Sequence, residues 1–366
     1  MGFEQSIHEV MSGTRRGTGA SLLRGLLAVT EPFYSCATAA RNTLFDLGVR
    51  KSHRLPRPVI SIGNITTGGT GKTPMVRWLA ACLREQGRQV AILSRGYKAA
   101  DGALGDEQVM LDRMLNGPGM SPIVIKANPS RIASANQVLR EHPVADVFIL
   151  DDGFQHRAVA RDLDIVLLNA AEPFGFGHVL PRGLLREPLR GLARAGAIVV
   201  THCEQVAVSA VDEIEKIVRR YNAASPVYRA FHVPIGLRSA AVSSAAPPDH
   251  LIDELRNTPF FAFAGIGSPR SFDAQLQGMG SSYVGHRWFG DHHSYAVADL
   301  NELQKEAKAA GAAFLVTTEK DWAKVEQLAA AGMTQPIWRL DVAIEFRADH
   351  EAGLLGRVKD ALTKRD

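Results

Sequence analysis

Cysteine is scarce in this chain, with three among 366 residues, at Cys36, Cys82 and Cys203. None falls in a Cys-x-x-Cys spacing. That excludes a disulfide framework and a cysteine-built zinc site, and it fits a reducing cytosolic compartment. Charge of one sign is not in large excess. With 42 Lys and Arg against 38 Asp and Glu, the net charge is +4, too mild to imply a nucleic-acid partner. No uninterrupted apolar run approaches the ~20 residues that span a bilayer. A signal peptide is not expected, because no small-residue cleavage site is evident near the N-terminus. No repeat of solenoid period is present. What remains is a packed globular composition, 46% hydrophobic and 22% charged, long enough for two domains of ~150 residues each.

The N-terminal segment, residues 1–57, is basic and amphipathic. From Arg15 to Arg57 it carries eight Lys and Arg against Glu31 and Asp46. Leu22, Leu26, Val29, Phe33, Ala37, Ala40, Leu44 and Leu47 recur at helical spacing. Such a helix either lies in the interface of an anionic membrane or packs on its own domain. Pro32 is expected to bend or divide it.

Residues 58–225 alternate strand and helix signals. Segments 59–62, 89–94 and 122–126 read as strands, and the apolar runs at 147–150, 164–168 and 197–200 as strands buried on both faces. Helical patterns at 73–86 and 131–140 lie between them. The expected fold is α/β, a mostly parallel P-loop NTPase-like sheet with helices on both faces. A Ser-, Ala- and Pro-rich connecting segment follows at 226–250. A second alternation over 251–366 predicts a smaller C-terminal α/β domain, with strands at 260–265, 313–317 and 337–340 and helices at 297–310 and 349–363.

Chemistry concentrates at Gly63-Asn64-Ile65-Thr66-Thr67-Gly68-Gly69-Thr70-Gly71-Lys72-Thr73-Pro74. Glycines there let backbone N–H groups turn onto phosphate oxygens, and the following helix points its positive end at the same anion. Thr66, Thr67, Gly68, Gly69, Thr70, Gly71, Lys72 and Thr73 are the expected nucleotide contacts. Lys72 reaches the β- and γ-phosphates and the Thr73 hydroxyl serves Mg²⁺. Thr66 replaces the first glycine of the strict pattern, and Thr67 stands where switch ATPases of the Gly-Gly-x-Gly-Lys-Thr type usually carry lysine. Asp151 and Asp152 close the apolar run 147–150, where a P-loop protein needs hard oxygens for Mg²⁺. Gly105-Asp106-Glu107 reads as an acidic loop after Ser94-Arg95-Gly96-Tyr97. Asp291-His292-His293 lacks zinc-site spacing and suits an imidazole that orients a carboxylate base.

Taken in order, these motifs, with Asp151-Asp152-Gly153-Phe154-Gln155-His156, Leu180-Pro181, Arg186-Glu187 and Thr317-Thr318-Glu319-Lys320-Asp321-Trp322, give the chain its family likeness. The chain resembles the tetraacyldisaccharide 4′-kinases of lipid A synthesis, most closely from about Val59 to Arg190. The resemblance implies ATP- and Mg²⁺-dependent phosphorylation of the 4′-hydroxyl of a membrane-embedded acylated glucosamine disaccharide 1-phosphate. It also implies peripheral attachment at the cytoplasmic face of the bacterial inner membrane, with no obligate protein partner. Carried over by motif, Lys72 and Asp106 are catalytic, Asp106 as base, with His292 tuning it. Glu107, Asp151 and Asp152 support Mg²⁺ with Thr73. Arg95, Tyr97, Arg131, Gln155, His156 and Arg186 match the acceptor side. The alternative is a P-loop switch ATPase that binds membrane or partners in a nucleotide-dependent way. Thr67, Gly105-Asp106-Glu107 and Asp291-His292 argue against it.

Overall fold

The computed structural model describes residues 3–96, 105–240, 244–267, 269–280, 282–291, 293–329, 334–347 and 349–364. The chain runs α1 (Phe3–Met11), α2 (Thr18–Asp46), β1 (Val59–Asn64), α3 (Lys72–Glu85), β2 (Val90–Ser94), α4 (Asp106–Leu115), β3 (Val124–Ala127), α5 (Arg131–Glu141) and β4 (Val147–Asp151). Next come β5 (Leu163–Asn169), β6 (Ala197–Thr201), α6 (Val208–Tyr221), β7 (Val227–Arg238), α7 (Glu254–Asn257), β8 (Phe260–Ala264) and α8 (Pro269–Gln277). The last elements are β9 (Tyr283–Trp288), α9 (Val297–Ala309), β10 (Phe314–Thr318), α10 (Glu319–Ala329), β11 (Ile337–Phe346) and α11 (His350–Thr363). Two compact units result. One comprises Met1–Tyr97, Val124–His232 and Glu345–Asp366; the other comprises Lys98–Ile123 and Val233–Ile344.

The first unit is built on parallel strands in the order β3-β2-β4-β1-β5-β6-β7. Every residue of β1, β2 and β6 is buried, which is why these strands read as continuous apolar runs rather than alternating ones. Val59, Ala91, Leu93, Phe148 and Leu150 pack with Ala135 and Val138 of α5. Their neighbours Ile60, Ile62, Ile92 and Ile149 are equally buried and point to the opposite side of the sheet. Farther along, Val166, Leu168, Ile198 and Val200 pack with Val211, Ile214 and Val218 of α6.

The second unit has its own parallel strands in the order β11-β10-β8-β9, with a register shift between Phe260 and Phe261. Phe261, Phe263 and Leu315 pack with Leu300, Leu303 and Ala307 of α9 and with Trp322 of α10.

These units do not follow the linear division at 58, 226 and 251. Residues 345–366 join the first unit because α11 buries Leu354, Val358, Ala361 and Leu362, and because Gly353 abuts the Tyr228 ring. Trp78 of α3 donates to Glu351 at 3.1 Å and packs on Phe346 at 4.7 Å. Residues 98–123 join the second unit, where Arg113 of α4 pairs with Glu326 of α10 at 2.8 Å. The acidic loop expected at Gly105-Asp106-Glu107 is instead the start of α4, with Gly105 N–H donating to the Gln108 side chain at 3.1 Å. In the segment expected to connect the domains, β7 is one continuous strand of 12 residues.

Pro32 does not divide α2, which runs unbroken for 29 residues. Contacts on both sides of the proline hold it. Glu31 binds His178, the Val179 N–H and Arg182 at 3.1–3.2 Å, and the Tyr34 hydroxyl donates to the Arg186 carbonyl at 3.1 Å. Leu22, Leu26, Val29 and Phe33 face away from these contacts and are 62–78% exposed. Among the described residues, no helix is long and apolar enough to cross a membrane.

Candidate active site

The carboxyl ends of β1 and β4 carry the loop that follows Asn64 and the pair Asp151 and Asp152. The two strands are direct neighbours, with Ile62 opposite Asp151. The loop is tied at every stage. Thr67 N–H donates to the Leu184 carbonyl at 2.8 Å, and Arg186 N–H donates to the Ile65 carbonyl at 2.7 Å. The Asn64 amide holds the Thr70 hydroxyl at 2.8 Å, the Asn169 amide holds the Gly69 carbonyl at 2.9 Å, and the Thr201 hydroxyl holds the Thr70 carbonyl at 3.1 Å. Thr66 forms an antiparallel bridge with Leu185. This explains why threonines replace glycine at 66 and lysine at 67: both residues pair with a neighbouring segment, and only Gly68 and Gly69 at the crest are exposed.

Gly71 caps α3 with a left-handed φ of 73°. A Cβ there would lie 2.7 Å from His232 Nε2, so both backbone conformation and space demand glycine. Lys72 and Thr73 are the first residues of the helix, at its positive end.

Asp152 is the electrostatic centre of the described site. Its backbone is left-handed, with φ 52°. Arg186 Nη1 donates to its two oxygens at 2.9 and 2.8 Å, and Lys72 Nζ lies 3.7 Å away. Burial alone pushes the Asp152 carboxyl up, but Lys72 and Arg186, helped by Arg131, hold it below the usual range, so it is ionised at neutral pH. Arg131 is 3% exposed and donates to the Asp151 carbonyl at 3.4 Å.

Gln155 and His156 follow. The Gln155 amide donates to the Asn64 carbonyl at 2.8 Å and to Glu187 at 2.9 Å, so it ties the root of the phosphate loop to a carboxylate with no exposure. Arg194 donates to both Glu187 oxygens at 2.8–3.0 Å, and the Asn42 amide reaches the same group at 3.1 Å. The His156 imidazole is pushed down to about 4, first by burial and then by Arg131, Arg161, Arg95 and Arg41. It is neutral at neutral pH and surrounded by positive charge, a setting that favours an anionic ligand.

Arg95 is exposed just past β2. Tyr97 and His292 lie outside the described residues, as does the side chain of Asp106. In the second unit Glu107 is exposed on the first turn of α4. There, Asp291 pairs with Lys320 at 3.0 Å, His293 meets Asp299 at 3.1 Å, and Lys324 donates to the His293 carbonyl at 2.9 Å. The Asp291 and Thr317–Trp322 motifs, far apart in sequence, are thus one cluster. Asn169, Thr201 and Arg194 support the site without having stood out in the sequence. The available signal is position, since Asn169 and Thr201 end β5 and β6 on the same sheet edge.

Oxygen donors at Thr73, Asp151 and Asp152, beside a glycine loop and helix N-terminus, fit Mg²⁺ bound with a nucleoside triphosphate. A parallel sheet with this loop between β1 and α3 and acidic residues ending β4 defines a P-loop nucleotide-binding protein. Residues 23–359 match the LpxK family, tetraacyldisaccharide-1-P 4′-kinase, and the chain belongs to it. A tetraacyldisaccharide 4′-kinase from Anaeromyxobacter dehalogenans (strain 2CP-C) is 37% identical over 353 residues, covering 92% of this chain and 90% of the relative. One from Syntrophus aciditrophicus (strain SB) is 36% identical over 361 residues, covering 92% and 93%. A crystal structure of LpxK from Aquifex aeolicus in complex with ATP superposes with a TM-score of 0.71 at 28% identity, covering 93% of this chain and 99% of that one.

Proposed function

We propose that this chain transfers the γ-phosphoryl group of ATP to the 4′-hydroxyl of a tetraacylated glucosamine disaccharide 1-phosphate, giving the 1,4′-bisphosphate of lipid A synthesis. The observation that carries the residue assignment is the Lys72–Asp152–Arg186 arrangement against the phosphate loop. It supports that assignment, since two cations meet at one carboxylate beside a helix N-terminus. Phosphoryl transfer is largely positioning and charge neutralisation, so these groups are the right kind. Lys72 holds the β- and γ-phosphates. Thr73 with Asp151 or Asp152 supplies the oxygens assigned to Mg²⁺, which would neutralise phosphate charge when bound. Asp152, with both oxygens on Arg186, orients that guanidinium and Lys72, and Glu107 is assigned to the metal on the family resemblance alone.

In the reaction the 4′-oxygen forms a bond to the γ-phosphorus as the bond to the β,γ-bridging oxygen breaks and ADP leaves. The hydroxyl proton passes to the Asp106 carboxylate, which His292 tunes. Arg95, Tyr97, Arg131, Gln155, His156 and Arg186 serve the anionic acceptor, and Gln155 also ties the root of the phosphate loop.

The exposed stripe Leu22, Leu26, Val29 and Phe33 on α2, with Arg15, Arg16 and Arg24, supports peripheral docking on the cytoplasmic face of the inner membrane. An acceptor with four acyl chains stays in the bilayer, so the enzyme must come to it.

Incubation with γ-labelled ATP, Mg²⁺ and the tetraacylated disaccharide 1-phosphate tests the proposal. Label is expected in the lipid, and Asp106→Asn is expected to abolish transfer while retaining ATP binding. Label released only as inorganic phosphate would favour a switch ATPase. Near-normal turnover by Asp106→Asn would remove Asp106 as the base.

A further inference from the structure

Behind the phosphate loop lies a group of side chains that the kinase reaction does not use. His202 follows β6 in a left-handed conformation, φ 57°, and His232 lies in β7. Their rings stack with centroids 3.8 Å apart and planes at 11°. Glu204 joins them. One of its oxygens is 3.3 Å from His202 Nδ1, and the other accepts the backbone N–H of His232 at 3.0 Å. One donor atom from each of the three residues lies within 4.8 Å of the other two.

The donor set is two imidazoles and one carboxylate. That is wrong for Mg²⁺, which takes oxygen ligands and keeps its waters. It is right for a borderline ion of the zinc type, which binds imidazole nitrogen and carboxylate oxygen. His232 is 6% exposed and fixed, while Glu204 is exposed and the His202 side chain retains 18% exposure. The set therefore has one rigid wall and two donors free to close on an ion. With metal–nitrogen bonds of ~2.0–2.1 Å, tetrahedral donors sit about 3.3 Å apart, so the donors must draw in by on the order of 1.5 Å and the near-parallel His202 ring must rotate until its nitrogen converges with that of His232.

We propose that His202, Glu204 and His232 form a second cation site, selective for a divalent transition metal of the zinc class and separate from the Mg²⁺ of phosphoryl transfer. The site adjoins the nucleotide loop. A Cβ built on Gly71 would meet His232 Nε2 at 2.7 Å and His202 Nε2 at 3.8 Å, so the two rings line the space beside the glycine that opens α3. An ion that turns the His202 ring out of the stack changes the surface facing Gly71. Metal and nucleotide affinities are then linked, each altering the other by the same factor.

The test uses Co²⁺ as a spectroscopic probe with the full-length, untagged protein, without ATP. Stoichiometric binding is expected at micromolar Co²⁺, with the intense visible bands of a four-coordinate nitrogen-oxygen site. Zn²⁺ should displace it and millimolar Mg²⁺ should not. Loss of supporting residues around metal sites costs about 10- to 100-fold in affinity, so His202→Ala and Glu204→Gln should each weaken Co²⁺ by at least about tenfold. Both residues lie toward solvent, and matching thermal melts of variants and parent confirm that the fold is kept. No micromolar binding, equal binding by both variants, or displacement by Mg²⁺ would each overturn the proposal. None of these readouts depends on kinase activity, so the kinase assignment and the metal site fail independently.

Discussion

Arg186 donates from a single nitrogen to both carboxylate oxygens of Asp152, although the two residues are 34 positions apart in the chain. Asp152 in turn lies 3.7 Å from Lys72. The arginine therefore shares the carboxylate with the lysine that must be available to phosphate. Without it, Asp152 would draw Lys72 closer and compete with ATP. Arg186→Ala is expected to raise KM for ATP and lower kcat/KM about 10- to 100-fold, the worth of a hydrogen bond to a charged group at ~1.5–3 kcal/mol. Arg186→Lys should recover only part, since an ammonium is more strongly hydrated and sits on a more flexible stem, so it is held less firmly on the carboxylate. Steady-state kinetics with varied ATP decides it; an unchanged KM would contradict the shared-carboxylate reading.

Gly71 offers a second test. Its left-handed φ and the 2.7 Å approach of His232 both oppose a side chain. Gly71→Ala should weaken ATP binding by about tenfold or more, given that such strain costs on the order of 1–3 kcal/mol. Fluorescent-nucleotide titration measures this. A calorimetric melt checks that most of the fold survives.

Glu187 has no exposure, and Arg194 neutralises it at 2.8 Å. Arg194→Ala would strand a buried charge and is expected to cost about 3–5 kcal/mol of stability. The paired variant Arg194→Met with Glu187→Gln should lose much less, because no net charge is left behind. Urea denaturation of both, compared with the parent, gives the difference directly.

His156 gives stability a pH dependence whose sign can be worked out. Burial, then Arg131, depress its folded-state value to about 4 from an ordinary 6.5. Between those values the unfolded chain takes up a proton that the folded chain refuses. This contribution is fully present above 6.5 and is lost progressively as pH falls toward 4. His156→Gln should therefore flatten the decline in urea midpoint between pH 7 and pH 5. An identical decline in the variant would show that other groups cause it.

Leu26 and Phe33 are 62% and 75% exposed on α2. Replacing both with Glu should leave the helix and the melting temperature nearly unchanged. Vesicle binding should fall by well over tenfold, since each side chain withdrawn from lipid forfeits roughly 1.5–3 kcal/mol. Co-sedimentation with anionic vesicles tests this; unchanged binding would place the membrane contact elsewhere.

Much of the nucleotide half of the site is readable from sequence because its signals are local. The loop at 63–73 sits between one apolar strand and one helix, and β1, β2, β4, β5 and β6 are buried on both faces, so each is dominated by a short apolar run, broken only by Ser61 in β1 and Asp164 in β5 before the strand ends. The elements that escape are those whose cause is distant. Gly105-Asp106-Glu107 looks like a loop because its helix is opened by glycine, with a Gln108 side chain completing the cap. β9 is an edge strand with mixed burial and carries no clean period. Pro32 suggests a break, but Glu31 and Tyr34 fasten the helix on either side of it. Partnerships such as Asp152 with Arg186, or His202 with His232, join segments that only the sheet edge brings together. No spacing rule signals them.

The assignment of residues 345–366 to the first unit has a bearing on how the protein is made. The ribosome completes Met1–Tyr97 and Val124–His232, then must thread out all of Val233–Ile344 before α11 exists to cover Tyr228 and reach Trp78. Until then, apolar surface that α11 will bury with Leu354 and Val358 stays open to water. The nascent kinase thus carries a vulnerable interval, when it is prone to aggregate or to need a chaperone. Its length is set by the translation time of the inserted unit.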